Sequence, residues 1–409
     1  MNISDNSAVR QCTSCQMCAA VCGRNAVKIE LDADGFYRPV IDTDACSQCG
    51  LCVKVCYKFD KDIAVYGTDK LEKTILYGAS AKNKEVLRNT TSGGIADLLA
   101  HLLVSNGYKC VGVEYDAELD RAVDRVATTE SDVNRFRGSK YIQSYTLNAF
   151  KAIVQTGRNE KYAVFGTPCH IYALDRYLRL REARENFILI DLYCHGCPSM
   201  NVWKKYLKDV KQNVKETRID NANFRSKRYG WGSFYVVVVV DGKPVYYSSK
   251  KRDDFFDLFF CDQILNEACN NCKLRSTLEY TDIRLGDFWG KQYVLDTCGV
   301  SAVSLASDRG KNLFSLIADE INYREEKYDD FLPWQSWGKE YTPDDDLRRR
   351  LLEQLRDEKI SLDESIKTIY ENKNLKDRLI YHVKKLTHGM PLWIEKRIRW
   401  VFYKIASRV

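Results

Sequence analysis

Two runs of cysteine constrain this chain more than any other feature: Cys12, Cys15, Cys18 and Cys22, then Cys46, Cys49, Cys52 and Cys56. Both are spaced C-x-x-C-x-x-C-x-x-x-C and lie 34 residues apart, as an internal repeat. Such spacing aims three thiolates from one tight loop at a cubic iron–sulfur cluster, and the fourth thiolate of each run crosses to the other cluster. Cys12, Cys15, Cys18 and Cys56 are therefore expected to hold one 4Fe-4S cluster, and Cys46, Cys49, Cys52 and Cys22 the second. A structural zinc site needs only four ligands, so eight matched thiols exceed it. Gly23 and Tyr57 stand where a proline commonly follows the fourth Cys, which leaves the ligands intact.

The chain has 409 residues, 45% of them hydrophobic, enough for two or three domains with a substantial core. Sixteen cysteines without a secretory signal or an apolar run of transmembrane length predict a reducing compartment, the cytoplasm. The net charge of +7 is concentrated at the end: seven Lys or Arg against one Glu between Lys384 and Val409. The body is nearly neutral, so no nucleic-acid partner is expected.

In chain order, residues 1–66 read as the two-cluster module, with short strands at Ala26–Ile29 and Tyr37–Val40 around an Asp34-Gly35 turn. A module this small has almost no core and is expected to be held by its clusters. After a linker, Thr91-Ser92-Gly93-Gly94 precedes the apolar run Ile95–Leu103. A helix N-terminus there suits a phosphate, and it equally suits a plain turn and cap. Strands are predicted at Cys110–Tyr115, Tyr162–Phe165 and Phe187–Tyr193, with helices at Ser131–Phe136 and Ile171–Leu180. Trp231–Val240, Asp241-Gly242 and Pro244–Tyr247 read as a hairpin. The alternation makes the fold class α+β and α/β, in which ligands sit at the carboxyl ends of strands.

Cys169 and Cys194 lie just past two of those strands. Cys269-x-x-Cys272 is a lone pair that by itself suits zinc, a redox dithiol or nothing. Together the four thiols would close a third 4Fe-4S cluster, with zinc as the rival and Cys197 as a substitute ligand. Cys110 reads as a core residue, and Cys261 and Cys298 have no assignment.

The ordered motifs are Thr91–Gly94, Gly138-Ser139-Lys140-Tyr141, Gly166-Thr167-Pro168-Cys169, Asp191–Ser199, Phe224–Trp231, Cys269-x-x-Cys272 and Gly286-Asp287-Phe288-Trp289-Gly290. With the two-cluster module they resemble the β subunit family of coenzyme F420 (deazaflavin) hydrogenases and dehydrogenases, over residues 1 to about 325. The resemblance implies a flavin-binding region at 67–158, a flavin and iron–sulfur catalytic domain at 159–330, and bound FAD. It makes Thr91, Ser92, Gly93, Gly94, Lys140, Gln143, Gly166 and Thr167 the flavin-contact candidates. His170, His195 and Asp287 become the catalytic candidates, as proton shuttles or substrate contacts, with second-shell or turn-capping roles as the plain alternatives. The family pattern commonly has Gln where His170 stands.

Residues 331–409 read as a helical tail, with helices at 344–358 and 361–387 and a last one after Gly389 and Pro391. That helix places Ile394, Ile398, Val401 and Ile405 on one stripe beside Trp393 and Phe402, flanked by Lys396, Arg397, Arg399, Lys404 and Arg408. Packing on the protein and peripheral contact with the inner face of a membrane both fit this pattern.

The resemblance implies three functions. The leading one is an FAD-dependent iron–sulfur reductase. A ferredoxin-like or other low-potential donor would feed the clusters and then FAD, which would reduce a small-molecule or sugar substrate in cell-surface polysaccharide synthesis. The others are a β subunit that reduces or oxidises the deazaflavin coenzyme, and a non-catalytic electron-transfer subunit of a larger complex.

Overall fold

The computed structural model describes residues 2–5, 11–249 and 253–406. Arg408, expected in the basic flank of the last helix, lies outside them, and so does the Ile405 side chain.

The apolar runs of the central region become one nine-stranded mixed sheet. Its order is Ile321–Glu326, Ile75–Ala81, Ser301–Leu305, Ile283–Asp287, Phe187–Leu192, Tyr162–Phe165, Lys109–Asp116, Arg121–Ala127, Ser144–Tyr145. The middle four strands are parallel. Phe187–Leu192 reads as a nearly unbroken apolar run because helices cover both of its faces. Parallel pairing puts the carboxyl ends of Tyr162–Phe165, Phe187–Leu192 and Ile283–Asp287 on the same edge, where the chain continues into Cys169, Cys194 and Asp287.

A second sheet of three antiparallel strands, Lys243–Tyr247, Val237–Val240 and Asn221–Asn223, lies apart. Its hairpin turns through Asp241 and Gly242 at φ 48° and 69°, the paired positive values that a two-residue type I′ turn requires. The strand starts later than the apolar run predicts. Trp231 is drawn aside, its indole N–H donating to Asp287 Oδ1 at 2.9 Å.

In the tail, the helix predicted at 361–387 is two helices, Leu362–Glu371 and Leu375–His388. Asn374 caps the start of the second, its side chain accepting from Asp377 N. Helices Asp345–Arg356 and Leu362–Glu371 bury Leu351, Leu355 and Ile366 in one core with Trp203, Phe224 and Phe255, so this part of the tail belongs to the body.

The two-cluster module is not held by its clusters alone. Met17, Ala20, Val21 and Val55 share one core with Phe150, Ile171 and Leu174 of the central domain. Buried hydrogen bonds stitch the seam: Gln16 Oε1 accepts from Thr146 N and Leu147 N, both at 3.0 Å, and Thr146 Oγ1 donates to Cys15 O at 2.9 Å. The module's strands, Val27–Leu31 and Tyr37–Ile41, reach the seam through Gly35, whose carbonyl accepts from Met200 N at 2.9 Å. Gly35 has φ 80°, and an added Cβ would meet Ser199 Oγ at 2.6 Å and Asn201 N at 2.9 Å. Gly35→Ala is therefore expected to destabilise the docked module by about 1 to 3 kcal/mol. Thermal melting checks this, and limited proteolysis should show faster cutting between the module and the body.

Candidate metal centre

Both cysteine loops bend in the same way. Ser14 and Gln16 flank Cys15 at φ 64° and 63°, while Gln48 and Gly50 flank Cys49 at φ 53° and 76°. Left-handed non-glycine residues are strained and persist only where their surroundings hold them. Gln16 is held by the seam described above. The bends bring N–H groups to sulfur: Ser14 N donates to Cys12 Sγ and Ala26 N to Cys22 Sγ, each at 3.3 Å.

Cys12, Cys15, Cys18 and Cys56 act on one another, and Cys52 of the second run reaches Cys18. Burial first, then the neighbouring Cys15, Cys12, Cys56 and Cys52, push the Cys18 thiol well above its ordinary value. Burial with Cys15 and Cys12 nearby raises Cys56 to about 12. Buried thiols that oppose each other's ionisation are a poor apolar core and a good donor set. Iron between them supplies the positive charge that lets them ionise.

A second gathering of thiols forms on the strand-end edge. Cys194 is pushed up to about 12 by burial, with Cys269 and Cys272 adding to it. Cys197 is raised by burial, Cys269 and Cys194. Cys169 is raised by burial and then by Cys15, Cys197 and Cys194. Five thiols therefore meet here, and Cys15 links them to the first group. Among the described residues no three or more His, Cys, Asp or Glu side chains converge on a single ion.

Arg284 and Arg275 hold the edge together, and neither stood out in the sequence. Arg284 is fully buried, with Nε and NH2 on the Asp191 carboxylate at 2.9 and 2.5 Å. It also donates to the carbonyls of Arg275 and Leu274 at 3.0 and 3.1 Å. Asp191 lies three residues before Cys194, and Leu274 two after Cys272, so one guanidinium ties both halves of the thiol group. Arg275 reinforces it by donating to Cys194 O and His195 O at 3.3 and 2.6 Å. A charged residue amid Ile283-Arg284-Leu285 was the available signal.

Tyr57 stood out in the sequence only as a substitute for proline. Its hydroxyl accepts from Lys273 N at 2.9 Å, and burial first, with Cys272 and Cys169 nearby, raises it. Tyr57 follows Cys56, so it spans the two thiol groups. The neighbouring Lys58 ammonium, lowered by burial, faces Cys272, Cys269 and Cys56.

The catalytic candidates find other work. His170 is buried, its ring edge-on to Phe150, and burial pulls it down to about 4, which places it in the apolar core. Asp287 is bound by buried Arg225 at 2.9 Å and by Trp231, so it anchors its turn. His195 is half-buried between Asp262, 2.7 Å from Nε2, and the Tyr341 hydroxyl, 3.0 Å from Nδ1. Of the three it alone keeps a polar relay beside a thiol.

The flavin-contact set does not form a cradle. Lys140 Nζ donates to the carbonyls of Val113, Arg137 and Phe136 at 2.8, 3.0 and 3.2 Å, and burial lowers it to about 7. Gln143 Nε2 donates to Gly35 O and Pro198 O at 2.8 and 3.1 Å, as part of the module seam. Thr91 Oγ1 accepts from Ser139 N, and Ser92 Oγ donates to Val300 O. Gly93 is small because a Cβ would meet Ala79 O at 2.2 Å, and Gly94 starts helix Ile95–Ser105. Gly166 N donates to Ile190 O, and the Thr167 hydroxyl lies 3.3 Å from Cys169 Sγ. With these groups engaged, the named residues do not fit FAD.

Residues 159–330 match the family of the carboxyl-terminal part of the coenzyme F420 hydrogenase/dehydrogenase beta subunit, and residues 11–58 match the 4Fe-4S dicluster domain. The coenzyme F420 hydrogenase subunit beta of Methanococcus voltae is 30% identical over 104 residues, covering 25% of this chain and 37% of that protein. An uncharacterized protein of Methanocaldococcus jannaschii is 28% identical, covering 45% of this chain and 59% of its own length. The chain thus spans about two fifths to three fifths of these relatives. In the F420-reducing NiFe hydrogenase complex from Methanosarcina barkeri, one chain overlays with a TM-score of 0.41 at 18% identity, covering 76% of this chain and 94% of that one. This chain thus carries, over residues 159–330, the carboxyl-terminal domain of the coenzyme F420 hydrogenase/dehydrogenase beta subunit, with a 4Fe-4S dicluster domain ahead of it at residues 11–58, a pairing of iron–sulfur oxidoreductase type.

Proposed function

We propose that this protein is an electron-transfer oxidoreductase whose dicluster domain and a third 4Fe-4S centre form one continuous one-electron path, with coenzyme F420, a two-electron hydride carrier, as its redox partner through a flavin-class converter bound away from the residues named above. The observation that carries this reading is that the two thiol groups share one packed core, in which Cys15, Cys18 and Tyr57 are buried with Cys56, Cys169 and Cys272 packed against them. When bound, the clusters supply one-electron carriage. Cys12, Cys15, Cys18 and Cys56 would hold the first, Cys22, Cys46, Cys49 and Cys52 the second, and Cys169, Cys194, Cys269 and Cys272 the third. Cys197 lies beside Cys269 and Cys194 as a fifth thiol.

Coenzyme F420 comes from the name of the Methanococcus voltae relative. A low-potential protein donor or acceptor fits the module's side of the path. Arg284 and Arg275 fix the third thiol group, Lys58 places positive charge between the groups, and the shared core excludes water.

Anaerobic purification followed by iron, sulfide, zinc and flavin analysis tests the path, and reduction of F420 by reduced methyl viologen tests the partner. About twelve iron per chain, four for each cluster, with F420 turnover is expected. About eight iron, or zinc in place of the remainder, would remove the third centre. Full iron with no F420 turnover would remove the coenzyme.

Tyr57→Phe separates the bridge from mere packing. The variant keeps the ring and loses the hydroxyl that lies near Cys272. Its iron content should be unchanged, while the midpoint potential of the third centre falls, since hydrogen bonds to cluster sulfurs favour the reduced state. A redox titration followed by electron paramagnetic resonance reads this, and an unshifted potential would show that the hydroxyl does not act on the centre.

A further inference from the structure

The last two helices turn the wrong faces to water. In Leu375–His388 the residues Leu375, Leu379, Val383 and Leu386 recur every three or four positions and are all exposed, Leu375 by 84%. In Leu392–Ala406 the usual arrangement is inverted. Glu395 is 3% exposed and Lys396 7%, with Lys396 Nζ donating to the carbonyls of Val294 and Asp296. Arg399 NH1 donates inward to Gly232 O at 3.2 Å, and Tyr403 packs edge-on against Trp334. Trp393 and Phe402 face outward, 63% and 65% exposed. Water favours charged residues outside and large apolar ones inside, and a contiguous exposed apolar patch marks an interaction surface.

We infer that these two helices lie flat on an anionic phospholipid surface. Charge selects that occupant. Lys376, Lys384, Lys385, Arg397 and Lys404 border the apolar face, with Asp377 as the exposed acid among them. Arg397 lies 5.9 Å from the Trp393 ring centre and Lys404 4.8 Å from that of Trp400, so each cation sits beside an aromatic ring as at a lipid headgroup layer. A second copy would bring the same basic rim against this one and be repelled, whereas anionic headgroups neutralise it. The helices have 14 and 15 residues, each about 21 to 23 Å long at 1.5 Å per residue, short of the roughly 30 Å hydrocarbon layer. No helix among the described residues is long and apolar enough to cross a membrane. The surface is therefore one for lying on a bilayer.

Flotation of the full-length, cluster-loaded protein with vesicles tests this. The protein should float with phosphatidylglycerol-containing vesicles at low salt, lose that binding as salt rises, and stay behind with phosphatidylcholine alone. The triple variant Leu379→Glu, Trp393→Glu, Phe402→Glu should abolish flotation. The double variant Lys384→Glu, Lys385→Glu should weaken it at least about tenfold, at roughly 1 kcal/mol per basic residue. Iron content equal to the parent's shows that either variant is folded. Failure to float with phosphatidylglycerol, or equal binding to both vesicle types, overturns the proposal. So does a lipid-free dimer that the triple variant converts to monomer, since a second copy would then cover the face.

Discussion

Replacing Arg284 with Met should cost about 3 to 5 kcal/mol and loosen the third thiol group while the amino-terminal one stays intact. The magnitude follows from leaving the fully buried Asp191 carboxylate without its partner. The same change frees the carbonyls of Leu274 and Arg275, which fix the turn after Cys272. Iron should fall from about twelve toward about eight per chain, with the dicluster signals retained. A double variant, Asp191→Leu with Arg284→Met, separates charge from anchoring. Removing both charges should recover much of the stability, because a buried ion pair and an apolar pair of similar size are often comparable. It should not recover the iron, because the turn still lacks its tie. Thermal melting and iron analysis of both proteins read the two effects. If the double variant melts no higher than the single one, the unpaired carboxylate is not the source of the loss.

Replacing Cys272 with Ser should remove about four iron per chain and the paramagnetic signal of the third centre, leaving the dicluster domain's signals in place. Cys272 is central to its group: it acts on Cys194, Cys269 and Tyr57. Cys197→Ser should keep the full iron content, since Cys169, Cys194, Cys269 and Cys272 already supply the four thiolates that one cluster takes. Equal iron in the parent and the Cys272 variant would mean that the fifth thiol has taken the empty position. Loss of iron in the Cys197 variant would make Cys197, and not one of the other four, the ligand.

How much of this was legible in the sequence depended on how far apart the partners stand. The two cysteine runs were readable because a cluster loop is local: its ligands, its left-handed bends at Ser14, Gln16, Gln48 and Gly50, and its N–H groups lie within a few residues. The strand ends at Cys169 and Cys194 were readable for the same reason, since apolar run and turn are adjacent. Polar loop residues were misleading. Lys140 and Gln143 have the chemistry of ligand-binding side chains, and the structure uses that chemistry on carbonyls of Val113, Gly35 and Pro198. Nothing local distinguishes a lysine that meets a cofactor from one that caps backbone carbonyls.

By itself, the sequence determined the local chemistry of this protein: a dicluster domain, an α/β body with thiols at its strand ends, and an amphipathic basic tail. Only the tertiary structure decided which groups meet. It put Tyr57 near Cys272, Arg284 on Asp191, and the module's seam on Gln16 and Gln143. It also turned Glu395 and Lys396 inward with Trp393 and Phe402 outward. Periodicity specifies that a helix has two faces, and burial of one of them depends on neighbours that are distant in the chain.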